Sequence, residues 1–286
     1  MSEVYLDGRF MPLEEARVPV MDRGFLFGDG VYEVIPVYGG RPFRLSQHME
    51  RLDNSLRSIR MENPLPLEAW GRIFMRLIGP ATDGDRLLYL QLTRGVDRTR
   101  NHLFPQDVEP TVLVMTWGLG PRDPDIAATG VFAVVLEDNR WHRCDIKATA
   151  LLGNVLLRQE AEDAAATEAI LVRDGLVTEG SSTNPFMVRS GEILTPPASN
   201  RLLRGVTRDL VLELACGAAL PCAERPITRD ELEAADEIWI SSSSREVQPV
   251  TRLDGKPVGT GVPGPRWRRI DRLFQDYKAR LGAGAT

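Results

Sequence analysis

Apolar residues recur at two different periods along this chain, and the switches between them outline its elements. Five short apolar runs are each broken by a two-residue turn signal: Asp7-Gly8 in VYLDGRFM, Gly39-Gly40 in VYEVIPVYGGRPFRL, Asp174-Gly175 in EAILVRDGLVTEG, Ser190-Gly191 in NPFMVRSGEILTP and Asp254-Gly255 in VTRLDGKPVG. Such pairs tolerate positive φ, so each predicts a β-hairpin. Between them the period lengthens. In SQHMERLDNSLRSIRM, Met49, Leu52, Leu56 and Ile59 fall at steps of three, four and three, which is one face of a helix, with Ser46 as its expected N-cap. LEAWGRIFMRLIG, residues 151–166, GVTRDLVLELACG and PRWRRIDRLFQDYKARLG read as further helices. RLLYLQLTRG, PTVLVMTW, VFAVVLED and DEIWISSSS read as strands. Hairpins mixed with helices predict an α+β fold. The Gly- and Pro-rich stretch 118–130 lacks periodicity, which predicts a small α/β domain over 1–120, a linker over 121–130 and a larger domain over 131–286.

Composition narrows the function classes. The chain has 286 residues and a net charge of −5, with arginines interleaved with acids, so a nucleic-acid-binding face is not expected. The N-terminal residues carry acid where a secretion signal needs base, and no apolar run approaches a membrane span, so a cytoplasmic protein without a membrane partner is expected. Cys144, Cys216 and Cys222 form no paired motif and are expected to be buried, reduced small side chains; no metal site is expected.

Charge also singles out one position. Thirty-two arginines stand against three lysines. Lys256 follows a turn and Lys278 sits in a charged helix, both with a surface reading. Lys147 precedes ATALLGNVLL, an apolar run expected to be buried. Read from the residues alone, Lys147 is either paired with Asp145 or a desolvated amine, its pKa lowered by burial and by Arg140 and Arg143. A neutral amine forms Schiff bases with aldehydes, which arginine cannot do.

Four other stretches each carry two readings. LVTEGSSTN holds Glu179, a turn residue or a carboxylate for a ring nitrogen. LLRGVTRDL opens a helix at Gly205 to Thr207, an ordinary start or an anion site. ISSSSRE supplies hydroxyls at a strand end, and RTRNHLFP is a solvated loop or a carboxylate grip. Taken together, an aldehyde trap, a ring-nitrogen partner, a phosphate cradle and a carboxylate clamp make up the inventory of pyridoxal phosphate chemistry.

The blocks DRGFLFGDGVYEV, RNHLFP, RWHRCDIKATALLGNVL, EAILVRDGLVTEGSSTN, GVTRD and DGKPV, in this order, resemble the class IV (fold-type IV) pyridoxal-phosphate aminotransferases, and among them the D-amino acid aminotransferases. The resemblance implies two domains with the cofactor, pyridoxal 5'-phosphate, between them, and a homodimer acting on amino acids and 2-oxo acids. It implies Lys147 as the Schiff-base lysine and proton shuttle, and Glu179 as the pyridinium partner. Arg51, Val206, Thr207 and Ser243 would be phosphate ligands, Leu203 the ring's packing partner, and Tyr32, Arg100 and His102 the carboxylate trap. The stretch from Thr93 to His102 is one residue longer than the family pattern, so Arg98 or Arg100 takes the carboxylate. Within the same fold, a branched-chain L-amino acid aminotransferase, an (R)-amine transaminase and an aminodeoxychorismate lyase are the alternatives. A fold that binds the cofactor without turnover has no need of Lys147.

Overall fold

The computed structural model describes residues 3–80 and 84–282. They divide into two compact units. One runs to Pro121 and takes back Ile146–Leu151; the other holds Arg122–Asp145 and Leu152–Arg280.

The first unit is a six-stranded antiparallel sheet covered by two helices. Its elements are β1 (Glu3–Leu6), β2 (Arg9–Pro12), the short α1 (Arg23–Phe27), β3 (Gly30–Tyr38), β4 (Arg41–Pro42), α2 (Leu45–Ser58), α3 (Leu67–Ile78), β5 (Arg86–Thr93) and β6 (Thr111–Gly118). The strand order is β2-β1-β6-β5-β3-β4. Asp7 and Gly8 both have positive φ (44° and 86°), so the first hairpin closes with Leu6 opposite Arg9. Gly39 and Gly40 do the same between β3 and β4. Along β3, Val31, Ile35 and Val37 point into the core, where they meet Met49, Leu52 and Leu56 of α2 and Trp70, Phe74 and Leu77 of α3. Each such fully buried side chain contributes roughly 1.5–3 kcal/mol of transfer free energy. The expected apolar face of α2 is present, but its start differs. Arg44, in the left-handed region at φ 52°, is the N-cap, and Ser46 lies inside the first turn.

Because β4 pairs only with the far end of β3, the near end keeps an open edge. Residues 146–149 pair there: Tyr32 N donates to Lys147 O, Thr149 N donates to Gly30 O, and Val31 lies opposite Ala148. Ile146 and Ala148 join the core of this unit, which leaves Lys147 on the opposite face.

The second unit contains a nine-stranded mixed sheet. Its elements are α4 (Pro124–Thr129), β7 (Val131–Glu137), α5 (Leu152–Asp163), β8 (Glu168–Arg173), β9 (Leu176–Gly180), β10 (Asn184–Arg189), β11 (Glu192–Thr195), α6 (Val206–Gly217), β12 (Cys222–Glu224), α7 (Arg229–Glu233), β13 (Glu237–Ser242), β14 (Glu246–Leu253), β15 (Lys256–Pro257) and α8 (Pro265–Gly282). The strand order is β12-β11-β10-β13-β14-β7-β8-β9, with β15 on β14. The pairs β7–β8, β7–β14 and β11–β12 are parallel. The three remaining predicted turns close hairpins through positive-φ pairs at Asp174-Gly175, Ser190-Gly191 and Asp254-Gly255.

Several local expectations change. The stretch 118–130 is not wholly irregular: Asp123 caps α4 through its side chain. The apolar run after Lys147 is largely on the surface. Leu157 and Ala161 of α5 pack against Ala169 and Leu171, whereas Leu152, Val155 and Leu156 are exposed. Leu152, Val155 and Leu156 lie off the face that Leu157 and Ala161 bury, so the apolar run is wider than one buried stripe. Lys278 is not a plain surface residue, since its ammonium pairs at 2.9 Å with the buried Glu246. Cys144 is buried as expected and burial pushes its thiol up to about 11, but Cys216 is exposed and Cys222 half-buried.

Candidate active site

In the first unit the chemistry gathers along β3. Lys147 is half-buried, and its Nζ lies 4.1 Å from the centre of the Tyr32 ring, a cation–π contact that replaces hydration on one side. Tyr32 in turn packs on Tyr89. The backbone N–H of Lys147 donates to Ser55 Oγ of α2 at 3.2 Å. Asp145 is not its partner: that carboxylate is taken by both edges of the Arg143 fork at 3.0 Å.

Glu33 shares the core face of β3 and is 0% exposed. A buried carboxylate needs partners, and α2 supplies them from two residues three apart, hence on one face. Arg51 donates from Nε and Nη2 to the two Glu33 oxygens at 2.8 Å each. His48 Nδ1 lies 2.8 Å from Oε2. Burial alone would raise the Glu33 carboxyl, but the Arg51 charge, its two hydrogen bonds and His48 hold it far below the usual carboxylate range. His48 is driven below its ordinary value, first by burial. The predicted phosphate ligand Arg51 is thus already oriented by an ion pair.

The loop after β5 carries Arg98, Arg100 and His102, all exposed. The Arg100 guanidinium lies 5.0 Å from the Phe27 ring centre and the His102 ring 5.2 Å from it. Arg98 faces elsewhere, lining a cleft of about 930 Å³ with Asp97, Gln106 and Glu109. Of the expected trap, Arg100 and His102 therefore share one support, while Tyr32 packs with Lys147 and Tyr89.

In the second unit the site elements meet at one end of the sheet. Glu179, near the end of β9, is buried. Its Oε1 accepts from Arg140 Nη1, and its Oε2 accepts from the Leu203 N–H at 3.0 Å. Arg140 is shared: Nε and Nη2 donate to the two oxygens of Asp138 at 2.9 Å, and Asp138 also receives Arg173 and the Thr178 hydroxyl. Burial pushes the Glu179 carboxyl up to about 7, against the pull of Arg140 and the Leu203 N–H and with the repulsion of Asp138. Arg140 and Arg143 thus spend their charge on their own carboxylates. Neither was expected as a partner of Glu179, since Arg140 is 39 residues away in sequence.

Leu203 leads into the α6 N-terminus, where Gly205 is the N-cap and no side chain caps the first turn. A Cβ at Gly205 would lie 2.1 Å from Asn184 Oδ1, so only glycine allows this approach. Asn184 also donates to Leu203 O at 2.8 Å and accepts from Ser241 Oγ through its own carbonyl. It thereby ties the helix start to the end of β13, beside the turn that bears the half-buried Ser243. Val206 and Thr207 are buried in the first turn. Beside this, Glu168, also buried, accepts from the Ser181 and Ser182 hydroxyls and the Ser181 N–H, holding the 180–183 turn next to Glu179. An uncapped helix start, a ring-sized neighbour in Leu203 and a carboxylate with an adjustable charge fit a phosphorylated pyridine. Among the described residues no group of three or more His, Cys, Asp or Glu could hold a metal ion, and no helix is long and apolar enough to cross a membrane.

These features define a fold-type IV, pyridoxal-phosphate-dependent aminotransferase. The family model of class IV amino-transferases matches residues 30–253, and the chain belongs to that family. It is 40% identical over 278 residues to a D-alanine aminotransferase of Staphylococcus aureus, covering 97% of this chain and 98% of the relative. It is 39% identical over 274 residues to that of Bacillus licheniformis, covering 96% of each. In structure it is similar to the branched-chain amino acid aminotransferase of Escherichia coli, with a TM-score of 0.89 at 26% identity, covering 100% of this chain and 96% of that one. The branched-chain aminotransferase of Thermoproteus uzoniensis gives 0.86 at 30% identity, covering 99% and 95%.

Proposed function

We propose that this chain transfers the amino group of a D-amino acid such as D-alanine to a 2-oxo acid such as 2-oxoglutarate. The observation that carries the reading is 40% identity, nearly end to end, with a D-alanine aminotransferase, against 26% and 30% with two branched-chain enzymes of known structure.

In this reading the bound cofactor supplies an electron sink for the bond broken at the substrate Cα. Lys147 would hold it through Nζ and would be the base that moves the proton released at the substrate Cα. Glu179 keeps the ring nitrogen protonated. A cation there lowers its carboxyl from about 7, so carboxylate and ring proton stabilise each other. Leu203 packs on the ring. The Val206 and Thr207 N–H groups, the Thr207 and Ser243 hydroxyls and Arg51, its fork oriented by Glu33, hold the phosphate. Tyr32, Arg100 and His102 take the substrate carboxylate. The shared Phe27 support favours Arg100 over Arg98 for that role.

The same reading makes the enzyme a cytoplasmic homodimer. Exposed Val18, Val20, Phe25 and Leu103 in the first unit, and Trp141, Leu152, Val155 and Leu156 in the second, support self-association, which light scattering on the purified protein tests. Steady-state kinetics with D- and L-alanine decide the stereochemistry: turnover of the D-isomer is expected, and activity confined to the L-isomer replaces this reading with the branched-chain one. Lys147→Ala is expected to abolish both transamination and the borohydride-trapped adduct. An adduct persisting on Lys256 or Lys278 moves the site elsewhere.

A further inference from the structure

A buried arginine far away in sequence contacts the loop that carries Arg100 and His102. Arg23 opens α1 and is 3% exposed. Local rules disfavour an arginine there, because a helix start repels cations and a buried guanidinium loses its hydration. Its contacts explain the choice. Nε donates to Asp29 at 2.8 Å, while Nη1 donates to the carbonyl of Asn101 at 2.6 Å. Asn101 stands between Arg100 and His102. The same guanidinium lies 4.9 Å from the centre of the Phe27 ring, on which Arg100 and His102 also rest.

The loop needs such an anchor. Residues 97–110 form neither helix nor strand. Apart from Asp97, whose N–H donates to Met21 O at 3.4 Å, their backbone N–H groups donate at short range: Arg98 N and Thr99 N to Asp97, Asn101 N to Thr99 O, and Leu103 N to Asn101 Oδ1. Arg23 ties the loop to the body at Asn101, and Arg94 covers the Phe104 ring at 3.8 Å. Both arginines converge on Asp29, which Arg94 grips at 2.8 and 3.0 Å. Burial would raise the Asp29 carboxyl, but Arg94 and Arg23 hold it below its ordinary value, so it is a fixed negative pivot.

We propose that Arg23 is the positioning residue of the substrate-carboxylate clamp, setting Arg100 and His102 through the Asn101 carbonyl and the Phe27 ring. The inference rests on the reading of Arg100 and His102 as that clamp. Arginine is required because one planar fork serves Asp29 and Asn101 from different nitrogens, which the single ammonium of lysine cannot do.

The test uses the cofactor-loaded enzyme with D-alanine and 2-oxoglutarate, comparing Arg23→Met, Phe27→Leu and Arg100→Ala with the parent. Arg23→Met is expected to raise KM for both substrates about tenfold while kcat changes less than about twofold, the pattern of lost binding rather than lost chemistry. The visible spectrum of the bound cofactor should be unchanged, and trypsin should cut after Arg98 and Arg100 several times faster, as a released loop requires. Unchanged KM and tryptic rates in Arg23→Met, with a raised KM in Arg100→Ala, overturn the positioning role alone. A KM untouched by Arg100→Ala overturns the clamp reading and this inference with it. Loss of the cofactor spectrum together with kcat in Arg23→Met marks a merely structural residue. Should Arg23→Met fail to fold, Phe27→Leu, a half-buried position, carries the same comparison: raised KM with faster nicking supports the proposal, and neither change overturns it.

Discussion

Glu33 and Glu179 are both buried glutamates that bind an arginine, yet they are held in opposite states. Glu33 receives two hydrogen bonds from Arg51, with His48 as a third donor. Its carboxyl lies far below the ordinary 4.5. Glu179 shares Arg140 with Asp138, which takes Nε and Nη2 of the same guanidinium. Its carboxyl rises to about 7. Burial raises both acids; what separates them is the strength of the opposing partners, the Arg51 charge with its two hydrogen bonds and His48 for Glu33, against a shared Arg140 and one backbone N–H for Glu179. One acid is permanently ionised and serves as a strut. The other is poised to gain its full charge when a cation arrives, which suits a ring-nitrogen partner.

Three measurements break or sharpen this contrast. The largest effect is expected from Arg140→Met, which leaves two buried carboxylates short of a cation and should destabilise the cofactor-free protein by about 3–5 kcal/mol in urea unfolding. A loss below about 1 kcal/mol shows that Asp138 and Glu179 do not depend on Arg140 as described.

Next comes Glu33→Gln, which keeps an acceptor for Arg51 but removes the charge, at a cost of about 1–3 kcal/mol. It also alters the pH profile. A carboxyl held below 4.5 in the folded state contributes stability above that value and loses it as pH falls further. His48, held below 6.5, adds a loss beginning as pH drops through 6.5. Glu179 acts with the opposite sign: its contribution is favourable below 4.5 and fades as pH climbs through about 7. Between about 7 and 4.5 the His48 loss and the Glu179 gain oppose each other, so the thermal midpoint of the parent protein should fall on acidification below pH 4.5, and Glu33→Gln should flatten that limb. An identical acid limb in the variant rules Glu33 out as its source.

The smallest effect is a titration. In Asp138→Asn the competing charge is gone, and the Glu179 midpoint should move below about 7, followed by carbon NMR of labelled glutamate. A midpoint that stays near 7 leaves burial alone as its cause.

Much of this architecture was legible beforehand. All five hairpin turns lie where the Asp-Gly, Gly-Gly and Ser-Gly pairs predicted, because a positive-φ pair is a property of two adjacent residues. The α2 face was legible for a similar reason. The cradle at Gly205 was readable as a helix start, and the structure adds the contact with Asn184 that excludes any side chain. The exposure of Leu152, Val155 and Leu156 was not legible, since an apolar run does not say which side faces the core. Glu33 did leave a signal. It falls on the same alternating face as Val31, Ile35 and Val37, and a charge there demands buried partners.

By itself, then, the sequence determined the longer elements, the hairpin turns and the motifs that mark the aminotransferase family, because each depends on neighbours within a few residues, while the short helices α1, α4 and α7 left no such pattern. Only the tertiary structure decided which arginine meets which acceptor. Arg51 and Glu33 are 18 residues apart, Arg140 and Glu179 39, and Arg23 and Asn101 78. Partners at such distances are chosen by strand order and loop packing, which the local pattern of polar and apolar residues does not encode.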